Sequence, residues 1–202
     1  MTHWNRTEFE PTLLARSMLT VQKQHSRVEH SRDDDLIDEQ LSSAISTVER
    51  RANINLHPAT YRTLNYTQAQ AMREGAWCWC ESAHAYGYRL PFNNVTALRA
   101  YDADGTVIID TEASGSTWTI AQQQFGANRD AYLVSTVADA WLPAAAALEI
   151  DCGTDAPEEL DPAVVSVIRR MAASMYENRE ANIALSDSAF DSELIAIWRP
   201  CA

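Results

Sequence analysis

The sequence predicts an α+β fold that is mainly α, with a helical bundle as its body and a small antiparallel β region inserted into it. Two stretches, 36–52 and 161–184, repeat apolar residues at three- and four-residue steps, as core-facing helices do. Between them, residues 59–152 form short alternating segments separated by Gly, Ser, Asn and Asp, which is typical of strands and turns. We therefore expect one compact domain of 202 residues.

The stretch from Asp161 to about Ala184 is expected to be the central packing helix. Asp161 can cap its first turn, and Pro162 suits the first helical position because no N–H is needed there. The apolar residues form one stripe, about 20 Å long at a rise of about 1.5 Å per residue. This stripe comprises Val164, Ile168, Met171, Ala172 and Met175.

Two helices are predicted upstream, and each has an apolar face. The first spans 12–25, and its face is formed by Leu13, Leu14, Met18 and Val21. The second spans 36–52, and its face is formed by Ile37, Leu41, Ala44, Ile45, Val48 and Ala52. Asp33, Asp34 and Asp35 precede the second helix and are interpreted as caps of its positive end rather than as a calcium loop, because no alternating ligands and no glycine turn follow. Residues 1–11 are interpreted as an irregular arm anchored by Trp4 and Phe9.

The region 59–152 is expected to contain several short strands. The candidate segments are 59–66, 76–90, 95–101, 106–110, 118–120, 131–137 and 147–151. The pair 95–101 and 106–110 is the clearest hairpin, because Asp104-Gly105 supplies residues that tolerate positive φ. The predicted organisation is an arm and the first two helices of the body at 1–58, a β-rich insert at 59–152, and the central helix with a C-terminal docking helix at 153–202.

The C-terminal segment is predicted to form a last helix. Ser186-Asp187-Ser188 can cap it, and Arg199-Pro200 ends it. Its apolar residues share one face at steps of four, seven and eight: Phe190, Leu194, Ile197 and Trp198. Such a stripe near a terminus either packs on its own domain or docks into a partner, and the sequence leaves both open.

The composition limits the classes of function. A net charge of −12 argues against sequence-specific DNA binding, which normally uses a basic surface, but suits a surface that DNA passes without being held. The sequence contains no run of about 18 apolar residues that would predict a membrane span, and the first residues lack a signal pattern. We therefore expect a protein made and kept in a cytoplasm, with free thiols.

The sequence predicts no enzyme. The five histidines are scattered, and no phosphate-binding loop, nucleophile elbow or zinc-protease motif is present. Cys78, Cys80 and His84 supply at most three ligands at a spacing that zinc sites do not commonly use, so no metal and no cofactor are expected. Glu177, Arg179 and Glu180 are interpreted as surface ion pairs, either within the helix or with a neighbouring subunit.

The order of these predicted helices and strands resembles that in the head–tail connector, or adaptor, proteins of tailed phages and of phage-derived gene transfer agents. The matching stretches are 33–56, 89–106, 147–153 and 162–181, and the most specific is Tyr-Glu-Asn-Arg-Glu at 176–180. The C-terminal Ile197-Trp198-Arg199-Pro200 also fits. Together the matches cover about half of the chain in the same order.

The resemblance implies a ring of about twelve copies beneath the capsid portal, closed by head-to-tail contacts. The ring would extend the DNA channel, without specific DNA binding, and offer a platform to the next tail protein. The partners would be the portal protein, a tail completion protein and further copies of this chain, at the head–tail junction of a particle and without a membrane. The resemblance implies portal docking by Phe190, Leu194, Ile197, Trp198 and Pro200, and subunit contacts by Tyr176, Glu177, Arg179 and Glu180. The alternative is a small acidic cytoplasmic protein-binding module unrelated to virions.

Overall fold

The computed structural model describes residues 4–10, 12–64, 77–125, 128–137, 142–143, 145–178 and 190. The chain divides into two compact units. One comprises Met1–Phe9, Ala59–Phe125 and Arg129–Gly153, and it contains the strands. The other comprises Glu10–Pro58, Gly126–Asn128 and Thr154–Ala202, and it contains the helices.

The helical unit contains three α-helices among the described residues: α1 (Leu13–His25), α2 (Asp34–Ala52) and α3 (Pro162–Glu177). A single 3₁₀ turn at Pro157–Glu159 precedes α3. The central helix is α2, because it packs against both α1 and α3, whereas α1 and α3 touch each other little. The prediction that the helix beginning at Asp161 is central is therefore wrong.

The predicted faces of α2 and α3 are confirmed. All six residues predicted for the α2 face are at most 2% exposed. On α3, Val164, Ile168, Met171 and Ala172 are buried in the same core, and Met175 packs against it. The helix also begins as predicted, since the Asp161 carboxylate accepts a hydrogen bond of 2.7 Å from the N–H of Ala163, with Pro162 at the first turn.

The predicted face of α1 is partly wrong. Leu14 and Met18 are buried, together with Ala15 and Gln22, but Leu13 and Val21 are 39% and 45% exposed. The helix lies to one side of α2, and among the described residues the helical core covers the side of α1 that carries Leu14 and Met18.

The β unit contains nine strands within the described ranges. They are β1 (Asn5–Phe9), β2 (Ala59–Leu64), β3 (Trp77–Cys80), β4 (Ala85–Asn93), β5 (Val95–Tyr101), β6 (Val107–Asp110), β7 (Trp118–Phe125), β8 (Asn128–Ser135) and β9 (Ala147–Cys152). They form a five-stranded sheet in the order β1-β2-β9-β5-β6 and a four-stranded sheet in the order β3-β4-β8-β7. Every strand pair whose register is resolved is antiparallel.

The two sheets share one hydrophobic core. Leu98 and Ala100 of β5 and Leu148 and Ile150 of β9 belong to the same buried cluster as residues of the other sheet, including Leu133 of β8. The β5–β6 hairpin is confirmed, with Gly105 at φ 81°. Residues 1–11 are not wholly irregular, because Asn5–Phe9 pairs with β2 as an edge strand.

The predicted fold class is therefore wrong, because it gives helices too large a share of the structure and strands too small a share. Nine strands and three α-helices among the described residues do not make a mainly α protein with a small β insert. The error arises because these strands have only four to nine residues each. So few alternating positions give a weaker pattern in sequence than a helix of 16–19 residues does.

Candidate assembly interfaces

The residues predicted for subunit contacts lie at the end of α3. The Tyr176 hydroxyl donates a hydrogen bond of 2.5 Å to Oδ2 of Asp33, and its ring is half-buried against the helical core. Glu177 is exposed. Arg179 and Glu180 lie outside the described residues. Tyr176 therefore connects the end of α3 to the start of α2. Of the two described residues, Tyr176 and Glu177, only Glu177 has a side chain that faces solvent.

The residues predicted for portal docking are divided in a similar way. Phe190 is 7% exposed and belongs to the helical core, with the Arg170 guanidinium carbon 5.9 Å from the centre of its ring. Leu194, Ile197, Trp198 and Pro200 lie outside the described residues. Phe190 thus anchors the start of the C-terminal segment on its own unit, and docking through the remaining residues stays a prediction.

The acidic residues before α2 act differently from the predicted caps. Asp33 occupies the N-cap position, but its side chain makes no capping hydrogen bond and instead accepts the hydrogen bond from Tyr176. Asp34 pairs with Lys23 of α1 at 2.5 Å. These carboxylates therefore join α2 to both of its neighbouring helices. Within the described ranges, no group of three or more His, Cys, Asp or Glu side chains is placed to hold a metal ion.

The end of α2 is fixed by a partly buried carboxylate that the sequence did not reveal. Glu49 Oε1 accepts hydrogen bonds from the N–H groups of Leu56, at 2.7 Å, and His57, at 2.9 Å. Its Oε2 lies 2.9 Å from Nδ1 of His57, whose side chain is fully buried. Burial alone would raise the pKa of Glu49, but hydrogen bonds and charge from His57 and the N–H groups outweigh it, so the pKa is lowered.

The outer face of the five-stranded sheet carries a network of charges around Arg99. The guanidinium contacts Asp151 at 2.9 Å, Glu112 at 2.5 Å and Glu149 at 3.6 Å. Tyr101 donates a hydrogen bond of 3.1 Å to Glu149. Burial would lower the pKa of Arg99, but Asp151 and Glu112 outweigh it and raise the pKa. The alternation of charged and apolar residues along β5 and β9 was a sequence signal for this face.

The aromatic stretch predicted as strand forms the β3–β4 hairpin. Trp79 and Tyr86 face each other across it with ring centres 5.3 Å apart, and they are 48% and 58% exposed. On the opposite face, Cys80 is buried and Cys78 is partly buried, and burial raises the pKa of the Cys78 thiol. Cys80 belongs to a small buried cluster with Tyr132 and Val134, and Cys78 packs against it.

A groove of about 350 Å³ lies between the end of α1 and the start of α3. Its wall includes His25, Glu158, Ser166 and Arg169 beside apolar residues. None of the helices that the structure describes is both long enough and apolar enough to cross a bilayer.

Comparison with known proteins gives structural but no sequence-level relatives. No family model matches the chain, and no curated protein matches it. A chain from the virion of a native gene transfer agent (GTA) particle is 20% identical with a TM-score of 0.56, and the match covers 98% of this chain and 96% of that one.

Two further chains come from the necks of GTA particles. One, from an empty particle computed with C6 symmetry, is 21% identical with a TM-score of 0.58 over 99% of this chain and 96% of that one. The other, from a native particle computed with C12 symmetry, is 23% identical with a TM-score of 0.55 over 100% and 96%. The resemblance predicted from the sequence is therefore confirmed at the level of the fold.

Proposed function

We propose that this chain is a structural subunit of the neck of a phage-like particle, placed at the junction of head and tail. The observation that carries the proposal is the coverage of the fold likeness. The alignment includes both the helical and the β unit and spans 96% of each GTA neck chain, so it is not limited to a common small motif. The proposal of the same kind of role is thus an analogy of fold over the whole chain.

The finer proposal is an adaptor ring of about twelve copies bound beneath the portal. The ring extends the DNA channel and gives the tail its attachment platform. The excess of carboxylates, with a net charge of −12, suits this role because an acidic wall repels phosphate and lets DNA pass. Two neighbouring copies contact each other head to tail, and Glu177, Arg179 and Glu180 lie at this interface in the proposal.

The portal contact is assigned to the C-terminal segment. Phe190 packs into the helical core and fixes where this segment begins. Leu194, Ile197, Trp198 and Pro200 follow within ten residues, and large apolar side chains of this kind commonly dominate interface energetics. The portal protein and a tail completion protein are thus the expected partners, and no cofactor or enzymatic activity is part of the proposal.

The decisive experiment is cryo-electron microscopy of particles from cells that produce this chain, combined with deletion of its gene. We expect density for the chain in a ring at the portal vertex. We also expect the deletion to leave filled heads without tails, restored by the gene in trans. Normal tailed particles after deletion would contradict the proposal. Particles that contain the chain only away from the portal vertex would contradict its adaptor part alone.

A further inference from the structure

Helix α1 has apolar side chains on two faces. Leu14, Ala15 and Met18 are at most 2% exposed in the helical core. Beside this buried face, Leu13 and Val21 lie about two turns apart along the helix and remain 39% and 45% exposed. Exposed apolar side chains on a helix are candidates for burial against a partner. Within the described residues, the helical core covers the side that carries Leu14 and Met18.

The exposed side of α1 also has no carboxylate. Its exposed residues are Leu13, Ser17, Thr20, Val21 and Gln24, which we call the α1 strip. The 13 residues of α1 include no Asp or Glu, although the whole chain has 28 of them. The Ser17 hydroxyl already donates a hydrogen bond of 2.8 Å to the carbonyl of Leu14. Covering the strip would therefore leave that hydroxyl with its partner.

We propose that the α1 strip binds a second copy of this chain and forms one side of the contact between neighbouring subunits. The inference rests on the proposed function, in which each copy has two identical neighbours. Every copy has a net charge of −12, so copies repel each other wherever their carboxylates meet. A surface with exposed apolar side chains and no carboxylate is where identical acidic subunits approach each other at least cost.

The contact is head to tail, so the next copy presents a different surface to the strip. Arg16 lies at the edge of the strip, one turn from Leu13 and Thr20, and its side chain is exposed. Its guanidinium lies near Asp38 of α2 and, in the proposed contact, also meets carboxylates of the next copy. The strip therefore supplies the apolar centre of the contact and Arg16 part of its polar rim, as in other protein interfaces.

The test replaces Thr20, at the centre of the strip, by the photocrosslinking residue p-benzoylphenylalanine in the full chain, and irradiates purified particles. We expect a crosslinked product of twice the 22.5 kDa chain mass that contains only this chain. The same residue placed at Ser46, which is exposed on α2, is the control for nonspecific capture. A crosslink to a different particle protein, or none although the chain is present in particles, would overturn the inference and leave the proposed function standing.

A second variant tests the apolar centre. The double substitution Leu13→Ser and Val21→Ser should reduce the number of copies per particle by about tenfold or more, because it removes two partly buried side chains at every contact. The matched control is Leu64→Ser on β2, which removes an equally apolar side chain that is 64% exposed. Equal incorporation of the double variant and the control would contradict the inference, provided that both melt at the same temperature as the unmodified chain.

If the chain is absent from particles, the proposed function fails, and self-association in solution decides the inference. Sedimentation of the purified full chain over a range of concentrations should then show weak self-association that the double substitution abolishes and Leu64→Ser does not. A chain that stays monomeric at all concentrations would overturn the inference in that case.

Discussion

Replacing Glu49 by alanine tests whether a single carboxylate fixes the end of α2. The carboxylate accepts two backbone hydrogen bonds, of 2.7 and 2.9 Å, from Leu56 and His57, and it lies 2.9 Å from Nδ1 of His57. The His57 side chain is 0% exposed and that of Glu49 is 21% exposed. Alanine would deprive three groups of this acceptor where water has little access, so the loss should exceed that of a surface contact.

The expected loss in the free energy of unfolding is about 3–4 kcal/mol. Each hydrogen bond to a charged acceptor contributes about 1.5–3 kcal/mol, but the three share one carboxylate and therefore do not add fully. Urea unfolding followed by the helical circular dichroism signal measures the loss. Glu39→Ala is the matched control, since it makes the same change at an exposed position of the same helix, and it should cost less than about 0.5 kcal/mol.

The pH dependence gives a second, independent check. Because folding lowers the pKa of Glu49, its stabilising contribution is fully present above the ordinary pKa of 4.5 and is lost as the pH falls through the folded value. The difference in stability between the unmodified chain and Glu49→Ala should therefore shrink below about pH 4.5. If Glu49→Ala and Glu39→Ala were equally stable at pH 7, or if their difference grew in acid, this account of the α2 end would be refuted.

Three further predictions concern helix α3, strand β4 and the C-terminal segment. Ile168 is 0% exposed, so Ile168→Ala should lower the free energy of unfolding by about 2–5 kcal/mol. Glu177→Ala, at an exposed position, should change it by less than about 1 kcal/mol. Denaturant unfolding that ranks the two substitutions the other way would contradict the assigned face of α3. Gly87→Ala would place a Cβ 2.9 Å from Cγ2 of Val134, so it should lower the free energy of unfolding by about 1–3 kcal/mol. Adding Val134→Ala should restore only part of this loss, because the new Cβ would also lie 3.0 Å from the backbone carbonyl oxygen of Leu133. Trp198→Ala should fold with an unchanged melting temperature and fail to join heads; a clearly lower melting temperature would instead place Trp198 in the core of its own subunit.

The helix faces of α2 and α3 could be read from the sequence because they depend on local periodicity. At 3.6 residues per turn, the spacing of Leu41, Ile45 and Val48 already determines that they share a side of α2. The capping of α3 by Asp161 depends on residues two positions apart, and the β5–β6 turn depends on Asp104-Gly105. Such features do not need the rest of the chain to be in place.

The exposed side of α1 could not be predicted in this way. Its sequence contains apolar residues at both Leu14 and Leu13, and each lies on a plausible stripe. Which stripe is buried depends on the side from which α2 approaches, and no local pattern encodes that direction. The carboxylates of Asp33 and Glu49 were equally hidden, because their partners Tyr176 and His57 come close only after the helices pack and the chain turns after α2.

By itself, the sequence determined which residues form the buried faces of α2 and α3, the position of the β5–β6 hairpin and the excess of acidic residues. It also determined the resemblance to connector proteins in the order of helices and strands. Only the tertiary structure decided that α2 is the central helix and that residues 5–9 add an edge strand. It also decided that nine strands form two sheets with one core. The reason is that strand pairing joins residues far apart in the chain, such as Ala59 with Cys152. The stability of such a pair comes from side chains of other strands and of the facing sheet, so it is not encoded in any short segment.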